Sequence, residues 1–111
     1  MYRGQDRGTP FLVTATHATS AVASNAAVAN TVHFITDISG SSDKAGALLL
    51  VKQGTTIIWQ SQLQTTAAGF CAYEHTFGVP LASAINALVS VTVDGTAVCH
   101  ANIAGYSILT V

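Results

Sequence analysis

The chain has 111 residues, half of them apolar, and a formal net charge of −1. That length suits one domain around one core. Only nine residues are formally charged, 8% of the chain, against about 25% in an ordinary soluble domain. This excludes a disordered chain, which would be charged and poor in apolar residues, and it excludes nucleic acid as a partner, which would need a basic stripe.

Residues 1–9 read as a flexible N-terminal arm that carries Arg3, Asp6 and Arg7. The opening MYRGQDRGTP has no apolar stretch of signal-peptide type. No run of about 20 apolar residues follows, so no membrane span is expected. Residues 10–111 read as one β-domain. Phe11 to Thr16 is its first strand, and the Ala-rich stretch from Ala18 to Asn30 is a weak strand or two with turns. Its Thr, Ser and Asn residues argue against a helix there.

Alternation then places Val32, Phe34, Thr36 and Ile38 on one face of a strand, with His33, Ile35 and Asp37 on the other. Ser39 to Asp43 is expected to be a loop. Ala47 to Lys52 and Thr55 to Gln62, joined at Gln53-Gly54, form the best hairpin in the chain. Both strands are apolar on both faces, which fits a core on one side and a partner on the other. Cys71 to Phe77 is a strand broken by Gly78-Val79-Pro80. In the next, Ile85, Ala87, Val89, Val91 and Val93 share a face, and Asp94-Gly95 is expected to turn tightly into a returning strand from Thr96 to Ile103. Tyr106 to Val111 closes the chain. About eight short strands with turns every eight to twelve residues give an all-β fold, a single-domain antiparallel β-sandwich or jelly roll.

The search for chemistry is nearly empty. The sequence holds no CxxC, HExxH, P-loop or GxGxxG motif. His17, His33, His75 and His100 have no partner at metal-ligand spacing. Glu74 and His75 are adjacent and so point to opposite faces of a strand, while His33 and Asp37 lie too far apart along theirs. Asp37 and Asp43 flank one loop that could hold Ca²⁺, although a solvated loop explains them as well. Cys71 and Cys99 read as two buried thiols. No catalytic residue, cofactor or metal is expected. Scarce charge points instead to a surface covered by other subunits, since permanent interfaces are more apolar than free surface. The arm offers Arg3, Asp6 and Arg7 as assembly residues, and strand facing adds His33, Leu48, Leu50, Ile58 and Trp59.

Several segments, taken in order, resemble small β-sandwich virion proteins of tailed bacteriophages. They are the Ala/Thr/Ser-rich opening from Ala18 to Asn30, then VHFITDISGSSDKAG, LLLVKQGTTIIWQ, FGVPLASAINALVSVTVDG and the closing ANIAGYSIL. The resemblance spans residues 18–109 and rests on strand pattern, Gly and Pro placement and a final Gly-Tyr. It implies a head decoration (cement) or head-fibre protein, commonly a homotrimer, that braces the major capsid protein on the capsid surface of the virion after assembly in the host cytoplasm. N-terminal arms in such proteins often lie along the capsid or a neighbour. The resemblance brings no catalytic residues. A tail, baseplate or fibre module, or a small receptor- or glycan-binding sandwich, is the alternative.

Overall fold

A computed structural model describes residues 8–65 and 70–110. Arg3, Asp6 and Arg7 lie outside the described residues. Within them are nine strands and no helix: β1 (Thr9–His17), β2 (Ser20–Asn25), β3 (Thr31–Ser42), β4 (Leu48–Gln53), β5 (Thr56–Gln62), β6 (Gln64–Thr65), β7 (Cys71–Ala82), β8 (Val89–Asp94) and β9 (Cys99–Leu109). They form two antiparallel sheets packed face to face, one in the order β1-β9-β3-β7-β6 and the other β2-β8-β4-β5. The fold is an all-β, two-sheet sandwich.

The pairing is nested. β1 pairs with β9, β2 with β8, β3 with β7 and β4 with β5, every pair antiparallel. The innermost pair is the expected hairpin, whose turn contains Gly54 at φ 59°, a left-handed conformation that Gly adopts without steric cost. The outer pairs join residues tens of positions apart, so no local motif marks them.

The core lies between the sheets. Ala21 and Ala23 of β2, Leu49 and Val51 of β4, and Val89, Val91 and Val93 of β8 are fully buried on one side. Ile35, Ile38, Cys71, Cys99, Ala101 and Ile103 meet them from the other. Full burial of one Val, Leu or Ile contributes about 1.5–3 kcal/mol relative to exposure.

Several expected boundaries move. β3 runs on through Ser39-Gly40-Ser41-Ser42, which is strand and not loop, because β7 and β9 pair with it on both sides as far as Ser42. The strand expected from Ile85 starts only at Val89. Asn86 sits at φ 62° in a turn, and its side-chain oxygen accepts from the Asn30 N–H. Asp94-Gly95 does not close a hairpin. β8 already has β2 and β4 on its two edges, so the chain crosses to the other sheet to become β9. Tyr106 continues β9 without a break.

Two bulges redistribute side chains between faces. At Thr36, β3 carries one more residue than β9 between Ile35 and Asp37. An extra residue reverses the alternation. Thr31, His33 and Ile35 therefore point inward before the bulge, Ile38, Gly40 and Ser42 point inward after it, and Asp37 is exposed. The expected face of Val32, Phe34, Thr36 and Ile38 is thereby split. Gly105 lies opposite this bulge, paired with Ile35, and a Cβ there would collide with the Phe34 backbone carbonyl. The second bulge adds Ile58 to β5 opposite Val51 and Lys52.

Candidate functional site

With no concentrated chemistry in the sequence, function has to be sought on the outer faces, the sheet edges and the ends of the sandwich. The outer face of β2-β8-β4-β5 is built from every second residue of those strands. Val22 of β2 pairs with Thr92 of β8, Thr92 with Leu50 of β4, and Leu50 with Gln60 of β5. Leu48 lies one pleat away on β4, and Lys52 pairs with Ile57 on the other side. Val22, Leu48 and Ile57 are each about half exposed, at 50%, 45% and 48%. Leu48 and Leu50 thus occupy the outward face expected for them.

Trp59 and Ile58 do not join that face. The bulge turns Trp59 to the same side as its pair Val51, into the sandwich, where both Trp59 and Ile58 pack against the core. Trp59 meets Tyr73, His75 and Phe77 of β7 at ring-centroid distances of 6.1, 5.0 and 5.5 Å. These four rings fill the seam between β5 and β7.

The outer face of β1-β9-β3-β7-β6 differs along its length. At one end Phe34 and Tyr106 pair across strands and stack at 5.1 Å. Val32 and Ile108 make the next pair out. Toward the other end the face dips into a shallow groove of about 530 Å³ lined by Ser39, Ser41, Gln64, Ala72, Glu74 and Asn102 among others. A smaller depression of about 140 Å³ adjoins it, shares Ser39, Glu74 and Asn102, and adds Asp37 and Thr76. The Asn102 amide donates to Ser39 Oγ at 2.8 Å. Thr36 and Thr76 each donate a hydroxyl hydrogen to the Asp37 carboxylate, at 2.9 and 2.8 Å. Sequence reasoning missed this groove because its residues come from four strands and only pairing assembles them.

His33 is 1% exposed and lies inside the sandwich, so it offers no outer surface for assembly. Its Nε2 donates to the Ala26 carbonyl at 2.8 Å. In a neutral ring that leaves Nδ1 to accept from Ser107 Oγ at 2.6 Å. The edge of Phe11 packs against the ring. A Ser–His pair of this kind suggests nucleophilic chemistry, but among the described residues the other ring nitrogen meets the Ala26 carbonyl and not a carboxylate. Ser107 is flanked by Thr9 of β1 and His33 of β3, so its backbone amide belongs to a ladder and not to an oxyanion hole. The group instead satisfies polar atoms at one end of the core.

The other candidates also separate. His17 Nδ1 accepts from the Thr19 and Ser20 backbone amides, and His100 Nδ1 bonds Thr16. Asp37 and Asp43 do not converge on a cation. Asp43 instead accepts from the backbone N–H groups of Thr96 and Ala97 at 2.8 and 2.9 Å. These bonds, Thr96 first, hold its carboxyl at about 2. Among the described residues no three His, Cys, Asp or Glu side chains gather as a metal site. Cys71 and Cys99 are buried and free. Both pair with Ser42, from opposite sides of β3, so they lie two strand spacings apart, about 10 Å, beyond the ~7 Å reach of a disulfide. No helix among the described residues is long and apolar enough to cross a membrane.

No family model matches the chain, and no curated protein does. Among solved structures it is similar to dimeric latent PorU from Porphyromonas gingivalis, at 10% identity and a TM-score of 0.44, covering 97% of this chain and 14% of that one. It is also similar to PliG of Aeromonas hydrophila, a periplasmic lysozyme inhibitor of g-type lysozyme, at 8% identity and a TM-score of 0.35, covering 96% of this chain and 91% of that one. Likeness at this level carries no argument about function, which rests on the chain's own residues.

Proposed function

We propose that the chain is a virion structural protein of tailed bacteriophages, a capsid decoration (cement) protein that assembles as a homotrimer and stabilises the head by bracing the major capsid protein. On this reading it sits on the capsid surface, works mechanically and catalyses nothing. The observation that carries the proposal is the outer face of β2-β8-β4-β5, where Val22, Leu48 and Ile57 stand half exposed around the partly buried Leu50, beside Lys52. Apolar side chains gathered on one face mark a surface that is covered in use. Burying it contributes about 25 cal/mol per Å² of gross driving force before the cost of association, and many copies on one shell add avidity.

Strand order supports a finer assignment of the fold. With the two-residue β6 set aside, the four nested pairs β1·β9, β2·β8, β3·β7 and β4·β5 make the rolled-up arrangement of a jelly roll, an architecture used by viral capsid and lectin domains among others. That link to capsids is an analogy of architecture, and it agrees with the resemblance of residues 18–109 to phage virion proteins.

The test is co-sedimentation of the purified protein with expanded empty capsids, followed by heating. Binding at stoichiometric occupancy with a raised capsid melting temperature supports the reading. A protein that neither sediments with capsids nor alters their melting contradicts it.

A further inference from the structure

We propose that the groove on the outer face of β1-β9-β3-β7-β6 binds a neutral oligosaccharide, through Asp37, Ser39, Glu74 and Asn102 with the stacked Phe34–Tyr106 pair beside them. The inference goes beyond assembly and uses the opposite side of the molecule from the apolar face of β4.

The argument starts from what lines the groove. Its polar groups come from neighbouring strands: Ser39 and Asp37 on β3, Glu74 on β7, Asn102 on β9 and Gln64 on β6. Strands lie about 4.8 Å apart, so these groups form a grid of donors and acceptors across the sheet. Carboxylates accept only, amides donate and accept, and hydroxyls do both. A chain of sugar rings presents hydroxyls that do the same, at intervals comparable with that grid.

Two of the groups are already held in place. Asp37 is fixed by the Thr36 and Thr76 hydroxyls, and Asn102 by Ser39. Each Asp37 oxygen accepts one of these bonds and keeps a lone pair for a ligand. Side chains fixed before binding lose less freedom on binding. Hydrogen bonds to a carboxylate are also stronger than neutral ones.

Charge narrows the ligand class. Asp37 and Glu74 are the charged residues lining the two depressions, and neither Lys nor Arg lines them. Phosphate, sulfate and sialylated ligands would be repelled. Two residue pairs beyond Asp37 and Ala104, Phe34 and Tyr106 stack on the same face. Aromatic rings beside hydrogen-bonding groups suit a sugar, whose ring has an apolar C–H face and a polar rim. A basic peptide would satisfy the carboxylates but would make little use of Asn102 and Ser39.

The experiment applies the full chain to a printed array of neutral and sialylated glycans, then titrates the best oligosaccharide into ¹⁵N-labelled protein. A tetralysine peptide is titrated in parallel. Binding to neutral glycans, with shifts centred on Ser39, Glu74, Thr76 and Asn102, is expected. Glu74→Ala and Asn102→Ala should each weaken it about tenfold or more, the scale of one hydrogen bond to a charged or well-placed group. Leu50→Lys, on the far face, should leave it unchanged even where assembly is lost, which separates this inference from the proposed function. A blank array, equal binding of sialylated glycans, shifts elsewhere on the molecule, or binding of tetralysine alone would overturn it.

Discussion

The two sheets share one core and turn different chemistry outward. On β2-β8-β4-β5 the outward residues are Val22, Leu48, Leu50 and Ile57 among Thr, Ser and Gln, with Lys52 as a nearby cation. On β1-β9-β3-β7-β6 they are Asp37, Ser39, Glu74, Thr76 and Asn102 at one end, with the exposed Leu12 of β1 beside them, and Phe34, Tyr106, Val32 and Ile108 at the other. Inward residues are held to small and branched apolar types between the central strands and to aromatic rings at the β5–β7 seam, whereas outward residues answer only to what they meet. Under the two proposals this contrast belongs to two contacts, one dry against protein and one wet against a polar ligand. The inward alternation is what keeps them apart.

The largest expected effect comes from Gly105 of β9, which lies opposite the β3 bulge. Gly105→Ala would drive a Cβ into the Phe34 backbone, and overpacking of this kind costs about 3 kcal/mol or more at its upper end. Chemical denaturation should show a large loss of stability or no folded protein, and a midpoint like that of the parent would refute the close approach. Next is Leu49→Ala. Leu49 is fully buried directly behind the Leu48–Leu50 face, and its truncation should cost about 2–5 kcal/mol.

Leu50→Lys acts on one face alone. Its effect on the stability of the isolated fold should stay within about 0.5 kcal/mol, while self-association weakens by about 2 kcal/mol, or ~30-fold. Equal loss of folding and assembly would dissolve the distinction between the faces. A smaller effect is expected at Asp43, which ties the loop after β3 to the link between β8 and β9. Its folded value of about 2 lies below the ordinary 3.8. Its contribution is thus complete above pH 3.8 and is lost as pH falls toward 2. Asp43→Ala should lower the melting temperature at pH 7 and flatten its fall across that acid window. The smallest effect is a null one. Because β3 separates Cys71 from Cys99, thermal melts with and without reductant should superimpose.

Much of the fold was legible where the signal is local. The β4–β5 hairpin follows from two apolar runs around Gln53-Gly54, and the buried Val89, Val91 and Val93 follow from strict alternation. The β1–β9 and β2–β8 pairs were not legible, because their partners lie far apart in sequence and pairing leaves no mark in either strand. Asp94-Gly95 misled for the same reason, since the edges of β8 were already taken by distant strands. The bulges at Thr36 and Ile58 were invisible as well. A Thr and an Ile inside β-rich runs look like ordinary strand residues, yet each extra residue exchanged the faces beyond it. That exchange moved Trp59 from the expected outer face into the β5–β7 seam and separated Asp37 from His33. Leu48 and Leu50 lie on β4, which carries no extra residue and keeps simple alternation, and they alone of the nominated strand residues occupy the expected outer surface.

The central claim is that the Leu48–Leu50 face is an assembly surface. The most direct test is the solution mass of the wild-type chain and of Leu50→Lys by light scattering, with circular dichroism to check the fold. The account predicts a trimer for the wild type and a folded monomer for the variant. A wild-type monomer at all concentrations, or a variant that keeps the wild-type mass, would contradict it.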